Sequence, residues 1–535
     1  MKTMINSIIL ASCLALPLAS CSDSDAAPEQ KDWSTTTYFN SSDAAAQDTY
    51  YKPAVGYVGD PMPFFDPVAG DFKVLYLQDF RPNPEGTYHP IWGVSTKDAA
   101  HYTALGELVS CGTLKSQDAA IGTGSTIYDE ASKLYYTFYT GNKYKPTGDE
   151  SAQVVMVATS ADFKTWTKDR TFLLKGQDFG YDKNDFRDPF VFKGDDGKFH
   201  MLISTKKGGK GSLAEFVSDD LKNWTDNGVF MTMMWDRFYE CPDLFKMGDY
   251  WYLVYSEIHH AVRRVQYFKG RTLDELKAST ANDVARWPDA HEGFLDSRGL
   301  YAGKTASDGT NRYLWGWCPT RSGKDNTAVG ASPAEPEWAG NLVCYKLIQH
   351  EDGTLTLGQV DAVSEKYNQD VAVEVKESQN MTEADGTYTL AGSVEQPDAY
   401  MLMGRLGSHN KISFTVTTSN EWDKFGISMV RGSDSKKYYT MVVNPENENN
   451  RKVNFEEQGV EGKGFIAGID GYVFARPADN VYNITIYTDN SICVMYINDV
   501  CSYTNRIYGI QKNCWSINSY NGANVKISNL KISQY

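Results

Sequence analysis

Apolar residues along this chain recur in short runs of five or six, not at helical spacing. Lys73-Val74-Leu75-Tyr76-Leu77, Leu134-Tyr135-Tyr136-Thr137-Phe138-Tyr139, Phe199-His200-Met201-Leu202-Ile203 and Tyr250-Trp251-Tyr252-Leu253-Val254-Tyr255 are examples, each bounded by Gly, Asp or Asn. Runs rich in β-branched and aromatic residues between turn formers read as strands, so an all-β chain is expected. A weak repeat refines this. Ser160-Ala161-Asp162-Phe163-Lys164-Thr165-Trp166 recurs as Ser218-Asp219-Asp220-Leu221-Lys222-Asn223-Trp224, and Ser95 to Tyr102 is a degenerate copy with Tyr102 in the place of the Trp. Copies about 60 residues apart suit one four-stranded blade each. Residues 51–350 are then expected to form a five-bladed β-propeller, with a large sandwich of stacked hairpins as the competing arrangement. Residues 351–370 are looser and read as a linker. Alternation resumes over 371–535, as in Lys411-Ile412-Ser413-Phe414-Thr415-Val416, without the Ser-Asp-Trp repeat. A C-terminal β-sandwich is the simplest expectation there.

The N-terminus follows different rules. Lys2 precedes an apolar run, Ile8 to Leu18, too short to span a bilayer, and the run ends at Leu18-Ala19-Ser20-Cys21. Small residues before a cysteine resemble a bacterial lipoprotein signal. Residues 1–21 are therefore expected to be a signal peptide, with Cys21 as the site of lipid attachment. Residues 22–50 begin polar and acidic and read as a tether. The implied location is a bacterial cell envelope, on its periplasmic or its outer face, with membrane contact only through the lipid.

Composition narrows the partners. A net charge of −16 argues against nucleic acid, which requires clustered Lys and Arg, and favours a neutral ligand. Aromatic residues make up 13% of the chain, with 34 Tyr and 12 Trp, the side chains on which sugar rings stack. Besides Cys13 and Cys21, the chain has Cys111, Cys241, Cys318, Cys344, Cys493, Cys501 and Cys514, without a CxxC pair. Neither a metal knuckle nor a disulfide framework is indicated. A Cys493–Cys501 bridge across two strands is the one pairing expected.

Three acidic residues lie in related contexts on successive repeats. Asp60 occurs in Tyr57-Val58-Gly59-Asp60-Pro61, Asp188 in Asp185-Phe186-Arg187-Asp188-Pro189, and Glu240 in Tyr239-Glu240-Cys241-Pro242-Asp243. Each precedes a proline at once or within two residues, and then a hydrophobic strand. Proline removes a backbone donor and holds the residue before it extended, so it suits the entry of a strand and fixes where the carboxylate points. A lone Asp-Pro is most often a turn; three on successive blades would converge on the propeller axis. Cleavage of a glycosidic bond needs such a set: one carboxylic acid to protonate the leaving oxygen and one carboxylate to attack or to activate water.

With these residues in view, the chain resembles glycoside hydrolase family 32, the invertases, inulinases and levanases. The resemblance rests on Asp185-Phe186-Arg187-Asp188-Pro189, on Glu240-Cys241-Pro242-Asp243-Leu244-Phe245, and on the early Asp60-Pro61 followed by Leu75-Tyr76-Leu77-Gln78. Trp92-Gly93, Gly124-Ser125, Asp296 with Tyr301-Ala302, Gly316-Trp317 and Trp338-Ala339-Gly340 add to it, in the family's order, from about residue 57 to 360. The family fold is a five-bladed propeller followed by a β-sandwich. The resemblance implies that Asp60 is the nucleophile, Glu240 the acid/base and Asp188 the stabiliser of the developing oxocarbenium ion. It also implies that Arg187 is a sugar-hydroxyl ligand and that Gln78, Trp92, Ser125 and Trp338 shape the sugar subsite. A carboxyl separation of about 5 to 5.5 Å, typical of retaining enzymes, is expected, with no cofactor. Cys241 is expected to pack behind Glu240. The first motif departs from the family's Trp-Met-Asn-Asp-Pro-Asn-Gly: Gly59 stands where the sugar-binding Asn would be, and the Asn-Gly after the proline is absent. The expected partner is an oligo- or polysaccharide, a fructan or a sucrose-type sugar. Two readings compete: an inverting glycosidase of the family 43 type, acting on arabinan or xylan, and a glycan-binding lipoprotein without turnover.

Overall fold

The computed structural model describes residues 49–81, 83–233, 238–257, 264–278, 293–321, 336–431, 438–445, 452–458, 472–474 and 476–535. The expected signal peptide, Cys21 and all of the tether before residue 49 lie outside these.

Five antiparallel sheets follow one another. Blade I comprises Tyr57–Asp66, Asp71–Asp79, Ile91–Thr96 and Thr103–Val109; blade II comprises Ala120–Asp129, Leu134–Asn142, Gln153–Ser160 and Thr167–Leu174. Blade III comprises Phe186–Lys193, Phe199–Lys207, Lys210–Ser218 and Thr225–Thr232. Blade IV has Glu240–Met247, Tyr250–Glu257 and Arg264–Gly270, with an isolated bridge from Gln266 to Phe294 beyond them. Blade V comprises Tyr301–Ser307, Arg312–Arg321, Pro336–Gln349 and Leu355–Gly358, and pairs with blade I through Val58 and Gly340. The first strand of each blade lies against the first strands of both neighbouring blades, blade V against blade I included, so the five close a ring. The chain is thus an all-β five-bladed propeller followed by a sandwich.

The sequence repeat has a physical cause. In blades II and III it forms the bend between the third and fourth strands. Asp162 accepts the amides of Lys164 and Thr165, and Trp166 Nε1 donates to the Phe163 carbonyl. Asp220, Lys222, Asn223, Trp224 and Leu221 reproduce the same bonds. In blade I, Asp98 caps Ala100 and His101, and the Tyr102 hydroxyl donates to the Ala99 carbonyl in place of the indole. Ala99, Phe163 and Leu221 all sit at φ near +60°, the left-handed turn that these side-chain bonds support.

The C-terminal region is two packed sheets. One carries Gln369–Val371, Met381–Ala384, Thr387–Ala391, His409–Thr418, Val481–Asp489, Ile492–Ile497, Cys501–Arg506 and Asn524–Gln534. The other carries Val375–Gln379, Ala399–Arg405, Lys424–Arg431, Tyr438–Asn444, Lys452–Gln458, Tyr472–Val473 and Cys514–Tyr520. Strand His409–Thr418 alternates strictly, burying Ile412, Phe414 and Val416 against the second sheet, as one buried face requires.

Three expectations are corrected. Residues 351–370 are not a plain linker: they hold the outer strand of blade V, every residue of it buried, and a short helix, Asp361–Lys366. The weak sequence signal there reflects the brevity of both elements. The tether does not run free to residue 50. Tyr50 is buried and its amide donates to Asp489 Oδ2 at 3.0 Å, while Thr49 meets the hydroxyls of Tyr367 and Tyr535. Cys493 and Cys501 are not bridged. They lie on adjacent strands, but Cys493 faces Asn505 and Cys501 faces Ile497, four residues along the ladder or about 13 Å, beyond the reach of a disulfide.

Candidate active site

All five innermost strands break register at the same level. Two residues oppose one at Asp60-Pro61, Asp188-Pro189, Cys241-Pro242 and Ala302-Gly303, and Thr123 is a single extra residue in blade II. Asp188, Cys241 and Ala302 adopt φ of 56°, 51° and 52°, a conformation that costs a side-chain-bearing residue about 1 kcal/mol or more. A bulge turns a side chain away from the regular alternation, here toward the axis. Proline suits three of these positions because a bulged residue has no ladder bond for its missing N–H to make. Asp60 and Asp188 are themselves the bulged residues. Glu240 stands one step earlier, at the last paired position, where its side chain is one methylene longer.

The bulges frame a cavity of about 700 Å³ whose lining includes Asp60, Arg187, Asp188, Glu240 and Trp338. Asp60 is gripped by neutral donors, Thr123 Oγ1 at 2.7 Å on one oxygen and Trp317 Nε1 at 3.0 Å on the other. Burial pushes its carboxyl above the usual range; those two bonds oppose the shift and the charge of Glu240 adds to it. Asp188 is buried, and burial raises its pKa to about 6 against the pull of Arg187, with Glu240 again adding to the rise. Its Oδ2 accepts the Cys241 amide at 3.0 Å, and its own amide donates to Thr140 Oγ1 at 2.9 Å. Glu240 accepts from Arg187 Nη2 at 3.1 Å on one oxygen and from the Tyr301 hydroxyl on the other. Arg187 is itself fixed by Asp185 at 2.7 Å and lies 3.9 Å over the ring of Phe238. Cys241 takes part through its amide; burial pushes its thiol well above the ordinary value, away from the reactive thiolate.

Trp338 forms one wall, stacked on the ring of His89 at 4.0 Å and 16°. Burial lowers the His89 pKa to about 4, so the stacked imidazole is neutral near pH 7. The same indole explains Gly59, since a Cβ there would fall 2.2 Å from its ring.

The structure therefore brings Asp60, Asp188, Glu240, Arg187 and Trp338 together. The other three expected subsite residues are not among those that line the cavity. Gln78 is fully buried with its amide on the Val55 carbonyl at 2.6 Å, and Trp92 packs edge-on to Phe80. Ser125 ties blade II to blade III, donating to the Pro189 carbonyl and accepting the Val191 amide, both at 2.9 Å. Thr123, His89 and Arg298 were not anticipated, and Tyr301 and Trp317 were seen only as parts of motifs, without a role. Nothing in their spacing marks them, because they act across blades. Among the described residues, no three His, Cys, Asp or Glu side chains are grouped so as to hold a metal ion.

Three carboxylates and an arginine at the end of a five-bladed propeller, followed by a sandwich, define a propeller of the glycoside hydrolase class. The chain belongs to glycoside hydrolase family 32. Residues 50–360 match the glycosyl hydrolases family 32 N-terminal domain, and residues 353–532 match the domain described as GH32, BT1760-like, C-terminal. It is 25% identical over 320 residues to the insoluble β-fructofuranosidase isoenzyme CWINV2 of Arabidopsis thaliana, covering 54% of this chain and 51% of that one. The match thus spans about half the length of that curated relative. Among solved structures, the sucrose-6-phosphate hydrolase of Lactobacillus gasseri superposes with a TM-score of 0.66 at 18% identity, covering 92% of this chain and 94% of that one. The exo-inulinase of Aspergillus awamori gives 0.65 at 15%, covering 91% and 98%. At such identities the superpositions establish the fold.

Proposed function

We propose that the protein is a retaining β-fructosidase acting on fructans such as levan and inulin, or on sucrose-type oligosaccharides. The observation that carries this reading is that Asp60, Asp188 and Glu240 line one cavity, with Asp60 and Glu240 fixed by separate sets of donors. Thr123 and Trp317 each hold one oxygen of Asp60, which aims it as a nucleophile, and Arg187 and Tyr301 hold Glu240. In the first step, Asp60 attacks the anomeric carbon as Glu240 gives its proton to the leaving oxygen, forming a glycosyl ester. In the second, water attacks the same carbon while Glu240 takes the water's proton, releasing the sugar and freeing Asp60. Asp188 stands beside the cationic transition state as a buried negative charge, and Arg187 and Trp338 orient the ring. The similarity to a β-fructofuranosidase and to sucrose-6-phosphate hydrolases supports a fructosyl substrate.

The test is to incubate residues 22–535 and the Glu240→Gln variant with levan, inulin, sucrose and an arabinan, resolving products by anion-exchange chromatography. Fructose or fructo-oligosaccharides from the wild type, with release reduced by about 10² to 10⁴-fold in the variant, are expected. Release from the arabinan alone would overturn the fructosyl assignment.

A further inference from the structure

The lining of the cavity contains a second guanidinium that neither the family motifs nor the catalytic scheme uses. Arg298 lies in the short segment between blades IV and V, is only 8% exposed, and faces the same cavity as Asp60 and Glu240.

The segment that presents Arg298 is held by the other domain. Asp296, fully buried, accepts the Thr504 amide at 2.8 Å, the Thr504 hydroxyl at 2.7 Å and the Ser502 hydroxyl at 3.1 Å. Ser297 Oγ donates to the Thr504 carbonyl, and Ser502 Oγ reaches the Leu295 carbonyl. Gly299 lies so close to the sandwich that a Cβ there would fall 2.0 Å from the Thr504 carbonyl oxygen. Residues on either side of Arg298 are therefore pinned to strand Cys501–Arg506, while Arg298 itself turns to the cavity. Three residues on, Tyr301 donates to Glu240.

We propose that Arg298 is a substrate-binding residue, donating to sugar hydroxyls in a subsite beside the reacting unit, and that the C-terminal sandwich sets its position. This rests on the β-fructosidase reading above. A guanidinium keeps its charge at every working pH and presents several fixed donors, which suits hydroxyl recognition. The ligand is neutral, because the lining holds three carboxylates against two guanidiniums and so disfavours a phosphate. The sandwich thereby acts on catalysis through Asp296 and Thr504 without entering the cavity.

The experiment compares wild type with Arg298→Gln, Arg298→Lys and Thr504→Val. It reads initial rates on a levan tetrasaccharide, on sucrose and on sucrose 6-phosphate, and calorimetric binding of the tetrasaccharide in a Glu240→Gln background. Arg298→Gln is expected to raise KM for the tetrasaccharide by about tenfold and to weaken binding equally, with kcat within about twofold. Arg298→Lys recovers part of the loss, and Thr504→Val moves KM the same way by about threefold. An unchanged KM with a lowered melting temperature would show a purely structural arginine and overturn the proposal, as would a loss confined to kcat. A larger loss on sucrose 6-phosphate than on sucrose would reassign Arg298 to a phosphate and overturn the neutral ligand. If the wild type releases no fructose from any substrate, the β-fructosidase reading fails first and this one with it. Release with an unchanged KM in Arg298→Gln sinks this proposal alone.

Discussion

Blades I, III and IV bend their innermost strands as blades II and V do, but the two groups load the bend with different chemistry. The first group places Asp60, Asp188 and Glu240 at or one step before the bulge. The second places Thr123 and Tyr301 at the corresponding points, with Trp317 opposite Tyr301 on the next strand. The acids and the groups that hold them are therefore on different blades: Thr123 of blade II and Trp317 of blade V close on Asp60, and Tyr301 of blade V closes on Glu240. A fivefold backbone feature supplies equivalent positions, and the departure from fivefold chemistry makes a site of them. Blades lacking an acid are thus as much part of the site as blades that carry one.

The sharpest way to break this comparison is to remove an acid. On the proposed mechanism, Asp188→Asn is expected to lower kcat/KM by at least about 10²-fold, since it removes a buried charge that would stand beside the oxocarbenium ion, and at the same time to stabilise the fold near neutral pH. Its pKa rises from 3.8 in the unfolded chain to about 6 in the folded protein, so the folded state binds the proton more tightly. The contribution of wild-type Asp188 to stability is complete below pH 4 and lost as pH rises through 6. The ceiling is about 3 kcal/mol, from about two pKa units. Denaturant melts of both proteins at pH 4, 5, 6 and 7 should show a gap opening upward in pH. A gap that does not change with pH would mean that the bulge, not the buried charge, carries the strain at this position.

Removing a donor tests the other half. Tyr301→Phe takes one hydrogen bond from a charged group, and a loss of about 10 to 100-fold in kcat/KM is expected. A rate matching wild type would remove Tyr301 from the groups on which Glu240 depends.

These two groups also differ in how far they could be read from the chain. The acids were legible because each of their three bulges carries a proline within two residues, and Asp-Pro, Asp-Pro and Glu-Cys-Pro are local signals. The Ser-x-Asp-x-x-x-Trp bends were legible for the same reason, being closed by bonds within seven residues. Thr123, Trp317 and His89 were not, because their partners are 63, 257 and 249 residues away; Arg298 was not, because the segment that carries it is held by Thr504, 208 residues from Asp296. Gln78, Trp92 and Ser125 show the reverse case. The motifs around them are present, but the Gln78 amide donates to the Val55 carbonyl and none of the three is among the residues lining the cavity. Even the Cys493–Cys501 guess failed on register, which strand patterning does not specify.

The smallest expected effect bears on that rearranged motif. Position 59 is the last paired residue before the bulge in blade I, the place that Glu240 occupies in blade IV and Tyr301 in blade V. Here it is Gly, and the space above it belongs to Trp338, whose ring would lie 2.2 to 2.8 Å from an added Cβ. The indole cannot simply swing away, since His89 is stacked on it at 4.0 Å. Gly59→Asn, which restores the residue usual in the family, should therefore destabilise the protein by about 1 to 2 kcal/mol through overpacking. Combined with Trp338→Ala, which empties the space, it should cost less than the sum of the single changes, with a coupling of about 1 kcal/mol. Strict additivity in urea melts would show that Trp338 does not own the space above residue 59. A positive coupling would mean that this chain exchanged an amide at the edge of its sugar pocket for an aromatic wall, and that the loss of the family's Asn and the presence of the Trp338–His89 stack are one change.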